Sequence, residues 1–372
     1  MLPLGVLVAT LASVALGANN SCKAPPASGS SGPETRSLDD MHKALIEKKA
    51  TTVTVWHGGD EKDQQKFLKD QFEKRFPGMT LNITVDLSKY HDERLDEQLA
   101  AGAGGVFIDS IILQTLHDYP RWASEGALLK YAPAGFDQVE TAFKAPDAAW
   151  YGVYIFFWSN GWNPKKLPQG TAPAEATDWL RPEFKDKLVL TYPHDDDAVL
   201  FAFDLIMKQY GDSWLDDLLK QNPRWVRGTA TPAILAEQAD AKDAAAFFAA
   251  GGGFGSAPPL NFSQPTESQY VSWAQYAGIL KDAPNVEGAK LLHNFILSPE
   301  YQKDMGTWSV RGDMPTPEGF PDIKKQNATD PTIFAKFMED RDTIEKLKLK
   351  FQAAIGPVEG LNPIDDEFNL PS

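Results

Sequence analysis

The densest run of reactive side chains in this sequence is His194-Asp195-Asp196-Asp197. Three consecutive carboxylates repel one another unless water or a cation meets them. If Asp195 and Asp197 face a cleft, the ligand they await carries positive charge. Alternatively, one of them caps the helix that follows, where the macrodipole favours an acid, and the others are solvated. The two roles can coexist. A second group, Trp56, His57 and Asp60, ends a β-branched run, and Gln114 to His117 ends an apolar one. Gly228 to Thr231 offers the hydroxyls of Thr229 and Thr231, the latter also placed to cap a helix before Pro232. Trp158 and Trp308 can serve as stacking walls or as ordinary core.

Catalytic chemistry finds less support. The chain has no Gly-x-Ser-x-Gly elbow, no His-Glu-x-x-His helix and no Walker loop. Cys22 is the only cysteine and lies ahead of the expected fold, so it can serve neither as a nucleophile nor in an intrachain disulfide. His42, His91, His117, His194 and His293 lack the spacing of a zinc site. No cofactor is expected, and a metal is neither required nor excluded. A secreted hydrolase or transferase using carboxylates such as Asp60 and Asp195 remains an alternative, as does a protein that keeps a binding fold for host or cell-surface contact. Arg311-Gly312-Asp313 matches an integrin-binding tripeptide of a kind that arises often by chance.

These groups need elements to hold them. Thr51 to Trp56, a glycine turn and the helix carrying Phe67, Leu68, Phe72 and Phe76 read as a β-α unit. Met79 to Leu87 and Val106 to Leu113 read as further strands, the latter apolar except for Asp109 and Ser110. Apolar strands separated by helices imply a parallel sheet covered on both faces. Trp150 to Trp158 is the most strand-like segment and marks a first crossover between lobes, and Val271 to Ile279 marks the return. Ser298-Pro299-Glu300 opens a late helix, and Asp330 to Ala354 reads as one long final helix. In open parallel sheets, ligands lie beyond the carboxyl ends of strands. Four such ends lie at Trp56 to Asp60, Gln114 to His117, Tyr192 to Asp197 and Gly228 to Thr231.

With 372 residues the chain exceeds one ordinary core, so two lobes of about 120 to 200 residues are expected. Its 42% hydrophobic and 23% charged residues are those of a folded protein. A formal charge of −15 repels nucleic acid and anionic lipid, so neither is an expected partner. Leu2 to Leu16 is apolar but too short to span a bilayer, and small residues end it at Ala15 and Gly17. That pattern predicts a signal peptide over 1–17, a secreted protein and no stable membrane insertion. Sequons at Asn19, Asn82, Asn261 and Asn327 point to a eukaryotic secretory route and a glycoprotein. Residues 18–47 read as a flexible leader rich in Ser, Gly and Pro.

The fragments TVTVWHGGDEKDQQKFLKDQFEKRFPG, YIFFWSNGWNPKKLP, WLRPEFKDKLVLTYP and GAKLLHNFILSPEYQKDM together resemble the extracellular solute-binding proteins of bacterial import systems. The resemblance runs over about residues 50 to 310 and is nearest the ferric-ion and small-cation branch. It implies an α/β, two-lobed type II periplasmic-binding-protein-like fold with hinge crossovers. Lobe one would be 48–155 with 275–372, and lobe two 156–274. It further implies a monomer that captures a small, cationic ligand by hinge closure, with a membrane transporter as a possible partner. His57 falls near that branch's metal-binding His. The branch's adjacent tyrosines are missing from 251–268, and Tyr270 and Tyr276 are six apart, which disfavours ferric iron.

Overall fold

The computed structural model describes residues 32–102 and 104–366. The expected signal peptide, Asn19, Cys22 and the first part of the expected leader lie outside the described residues. The expected leader gives way to structure before its end at residue 47. Helix α1 (Leu38–Lys48) starts where the Ser37 hydroxyl accepts the Asp40 N–H. Then follow β1 (Thr52–Gly58), α2 (Lys66–Arg75), β2 (Thr80–Asp86), α3 (Ser88–Ala100), β3 (Ser110–Leu113) and α4 (Asp118–Ser124). Strands β4 (Tyr151–Phe157) and β5 (Ser159–Trp162) are nearly continuous. Next come β6 (Val189–Thr191), α5 (Asp197–Tyr210), α6 (Ser213–Leu219), β7 (Arg224–Val226) and α7 (Thr231–Glu237). Strands β8 (Ala246–Ala250), β9 (Gly255–Ala257), β10 (Leu260–Ser263) and β11 (Ser272–Ile279) lead to α8 (Val286–Ile296), α9 (Pro299–Asp304), α10 (Ile333–Glu339) and α11 (Arg341–Ile355).

Two sheets organise two lobes. The first has the order β2-β1-β3-β11-β4, with β1 parallel to β2 and β3, and β11 antiparallel to β3 and β4. The expected parallel pairing thus holds for the three β-α strands. The second sheet, β8-β5-β10-β9, is antiparallel throughout, with the parallel pair β6-β7 bridged to β8 at Leu188 and Ala246. Of its paired strands only β9 and β10 are joined by a short turn; β5 takes both of its partners, β8 and β10, from beyond α7.

Two crossovers join the lobes. The chain leaves the first sheet in β4 and enters the second in β5, and it returns in β11. At the junction the Trp158 N–H donates to the Val271 carbonyl at 3.0 Å, tying one crossover to the other. The polar breaks in β3 are satisfied internally. Asp109 accepts the N–H groups of Thr54 and Asn285 at 2.8 and 2.6 Å. The Ser110 hydroxyl donates to the Gly278 carbonyl and accepts from His293 Nε2, whose Nδ1 accepts from the Tyr151 hydroxyl.

The tail differs from expectation in two ways. Asp340 interrupts the long final helix and caps α11 by accepting the Thr343 N–H, so α10 and α11 are separate. Both pack on α5, where Phe201 meets Phe337 at 4.5 Å and Phe203 meets Phe351 at 5.4 Å. Phe334 also meets Trp273 of β11 at 5.6 Å, so this tail, grouped with lobe one by resemblance, straps both sheets. Trp308 is buried against Phe157 and Phe320 with its N–H given to the Pro321 carbonyl, which makes it core rather than a cleft wall. Arg311 is 7% exposed and its guanidinium is spent on Asp313 at 2.7 Å, so the arginine of the Arg-Gly-Asp segment is folded inward while Gly312 and Asp313 stay exposed.

Gly161 of β5 lies opposite Phe247 of β8, and a Cβ there would come within 2.1 to 2.7 Å of that ring. Gly161→Ala should therefore cost about 1–3 kcal/mol through overpacking, read as a lower urea midpoint. An unchanged midpoint would show that the ring can turn aside freely.

Candidate functional site

Between the lobes the cleft narrows to a polar hollow of about 60 Å³. The loop after β1 contributes His57, Gly58, Gly59 and Asp60, and the ends of β2 and β3 contribute Ser88 and Gln114. Gln64 and Gln65 come from the approach to α2. The crossovers contribute Tyr154, Phe156, Trp158, Trp273 and Gln275, and the second lobe contributes Asp196 and Thr229. Among the described residues no Lys or Arg lines this hollow.

Strand alternation decides the first pair of residues. Successive side chains in β1 leave by opposite faces, so Trp56 and His57 cannot both face the cleft. Trp56 stacks on His91 at 4.9 Å and meets Phe107 edge-on, away from the hollow. His57 lines it but is 1% exposed and fully occupied. Its Nδ1–H donates to the Gly58 carbonyl at 2.7 Å, and its Nε2 accepts from the Tyr154 hydroxyl at 3.0 Å. Burial lowers its pKa to about 4, so the ring is neutral. Gly58 permits the close approach of the next loop, since a Cβ there would lie 2.1 Å from Ser88 Oγ. That hydroxyl in turn accepts the Gln114 N–H at 2.9 Å and fixes the end of β3.

Asp60 spans the lobes. Its Oδ2 accepts the Thr229 N–H, the Thr229 hydroxyl at 3.0 Å and the Ala230 N–H at 3.2 Å. Desolvation raises its pKa, and the donated hydrogen bonds offset part of that rise. The entry to α7 is therefore capped from the opposite lobe. Thr231 does not act as its N-cap: Ala230 occupies that position, and the buried Thr231 hydroxyl has no partner among the described residues. Thr231 also does not line the hollow, whereas Thr229 does.

The acidic run is met from within the chain. Asp195 accepts from Lys89 Nζ at 2.5 Å and from Arg227 Nε at 2.8 Å, and Arg227 also reaches the Tyr90 hydroxyl at 2.9 Å. Asp197 pairs with Arg341 and Lys348, each at 3.1 Å. Although desolvation opposes it, these cations hold both carboxyls below their ordinary range. Asp195 and Asp197 line a neighbouring chamber of about 140 Å³ beside His117 and Lys348, not the central hollow. An unmatched acid triplet was the reason to assign them a cationic ligand, and that premise fails because four side chains supply the charge. Asp196 is the member that faces the hollow. It caps α5 by accepting the Ala198 and Val199 N–H groups at 2.8 and 2.9 Å. Its pKa is pushed up to about 7 by desolvation and by the charges of Asp197 and Asp60.

The aromatic part of the wall is continuous. Phe156 meets Trp273 at 5.3 Å and Trp158 at 5.8 Å, and Trp158 meets Trp273 edge-on at 5.0 Å. The buried Trp158 indole N–H has no partner among the described residues. The hollow thus brings together His57, Asp60, Gln114, Trp158 and Thr229, and leaves out Trp56, Asp195, Asp197 and Thr231. It adds Tyr154, Phe156, Trp273 and Gln275, whose spacing of two along β4 and β11 was a readable sign of one shared face. Ser88 was signalled as well, by the carboxyl end of β2, the one strand end passed over. Among the described residues no three His, Cys, Asp or Glu side chains are grouped to hold a metal.

Solved structures share this architecture. Iron-bound HitA from Pseudomonas aeruginosa aligns over 81% of this chain and 99% of its own, with a TM-score of 0.62 and 16% identity. AfuA from Actinobacillus pleuropneumoniae, with fructose-6-phosphate bound, aligns over 82% and 98%, with a TM-score of 0.62 and 18% identity. The substrate-binding protein of an Agrobacterium tumefaciens ABC transporter aligns over 84% and 96%, with a TM-score of 0.69 and 14% identity. At these identities the likeness is one of fold. No curated protein matches the chain in sequence. The profile of the bacterial extracellular solute-binding proteins matches residues 109–330, more than half of the chain, and with the two-lobed fold and its interlobe cleft this places the chain in that family.

Proposed function

We propose that this solute-binding protein captures a small organic ammonium between its lobes for delivery to a membrane importer. The observation that carries this is the wall of the cleft: two carboxylates, Asp60 and Asp196, four aromatic rings, Tyr154, Phe156, Trp158 and Trp273, and, among the described residues, no Lys or Arg. Ring faces and carboxylates both attract a cation, and ammonium heads are recognised by this combination. A phosphate ligand such as that of AfuA would find no cation in this wall. HitA was solved with iron bound; iron in its ferric form favours phenolates, but here the Tyr154 phenol is pushed well up by burial and is spent on His57. Secretion through the N-terminal signal is part of the same reading. Asn82 on β2 and Asn327, both exposed, are the sequons we expect to carry glycans on a eukaryotic route.

Calorimetric titration with methylammonium and tetramethylammonium chloride, against fructose-6-phosphate and ferric citrate, tests the ligand class. Saturable ammonium binding is expected. Asp60→Asn and Asp196→Asn should each weaken it about tenfold to a hundredfold, as loss of a charge-assisted contact does. Binding of either anion in place of the ammoniums would overturn the reading.

Asp196 also sets the pH dependence. A bound cation favours the carboxylate, so binding releases its proton and the Kd should tighten as pH rises through about 7. Asp196→Asn should remove that dependence. In the ligand-free protein the sign reverses. The folded value lies above the unfolded value of about 3.9, so this group's contribution to stability is complete below about pH 4 and lost as pH rises through about 7. Urea midpoints from pH 4 to 8 should show a shallower decline in Asp196→Asn, which keeps the helix cap.

A further inference from the structure

The polar hollow opens into a larger space. Gln64, Gln65, Tyr154 and Phe156 line it and also line an adjoining groove of about 520 Å³. The two are different in character. The small one carries the acids, while the groove is walled by Phe67, Phe156, Phe157, Tyr301, Met305 and Phe320 and, among the described residues, has no charged residue in its lining. Phe67, at the start of α2, is 43% exposed, with its ring 6.0 Å from Tyr301. A lone exposed apolar side chain means little, but one that rims an aromatic groove beside a binding cleft marks surface kept free for contact.

Size makes the same point. About 60 Å³ accommodates an ammonium head or a few water molecules and little more. The groove alone falls within the range of roughly 300 to 1,000 Å³ typical of small-molecule sites. A ligand that used only the polar end would leave the larger aromatic space with no function. A ligand with a second ammonium would place it against rings with no carboxylate to receive it, at a high desolvation cost.

Resting on the ammonium reading above, we infer that the ligand is an amphiphilic monocation, with its ammonium head at Asp60 and Asp196 and an aromatic or branched aliphatic arm along Phe67, Phe156, Phe157 and Phe320. The acids set the charge, and the groove selects the arm. Diamines and bare ions are disfavoured by the same wall.

Calorimetry with methylammonium, phenethylammonium, butylammonium and 1,4-diammoniobutane tests this on the full chain. Phenethylammonium should bind at least about tenfold more tightly than methylammonium, since a buried ring adds apolar contact the head lacks. The diammonium should bind no more tightly than butylammonium. Phe67→Ala, at an exposed position that leaves the fold intact by thermal midpoint, should reduce the phenethyl advantage severalfold and leave methylammonium affinity unchanged. Equal affinity for the methyl and phenethyl ligands, a diammonium preference, or an unchanged advantage in Phe67→Ala would overturn the inference while leaving the ammonium site standing. If no ammonium binds at all, the site reading falls and the inference falls with it.

Discussion

Closing two lobes over one another removes carboxylates from bulk water, and each must be met by a donor or a cation or else hold its proton. Four acids meet that constraint here in three different ways. Asp60 crosses the gap and takes the backbone donors at the start of α7. Asp195 and Asp197 draw Lys89, Arg227, Arg341 and Lys348 around them. Asp196 receives two backbone donors but no cation, and its affinity for a proton rises accordingly. The position of the lobes follows from the first two solutions, and the chemistry of the cleft follows from the third.

This division explains how a strongly acidic protein can hold a closed interface. Lys89 and Tyr90 reach from the first lobe to Asp195 and Arg227 of the second, so the interface carries its own positive charge. Such pairs strengthen as water leaves, because the effective dielectric falls. Among the described residues none of these cations lines the central hollow. Charge is thus sorted within a few residues: Asp195 and Asp197 are paired directly, while Asp196 is met by two backbone donors and only by the more distant charge of Lys89.

Much of the fold could be read from pattern alone. The β-α unit at Thr51 to Phe76, the crossover at Trp150 to Trp158 and the Ser298 cap all stand in the structure, because each rests on local periodicity or capping chemistry. What escaped depended on distant partners. Neither acid could be seen as neutralised, since Arg341 and Lys348, which meet Asp197, lie nearly 150 residues on, and Lys89 and Arg227, which meet Asp195, lie 106 residues before and 32 after it. Thr231 was a reasonable cap by spacing, but Asp60 had taken the donors of the preceding turn from the other lobe. Trp56 failed for a local reason, since alternation in β1 excludes it once His57 faces the cleft. The aromatic wall was legible in the spacing of Tyr154, Phe156 and Trp158, though only the last was singled out.

The crossovers have a double duty. Tyr154, Phe156 and Trp158 on one and Trp273 and Gln275 on the other are wall residues, and the Trp158–Val271 hydrogen bond couples the two strands on which they sit. On the proposed capture of a ligand between the lobes, any bending of these two strands would also deform the surface that touches the guest. The thickness of whatever lay against those rings would then be converted into an angle between the lobes. A membrane component that senses this angle would register the identity of the cargo as well as its presence.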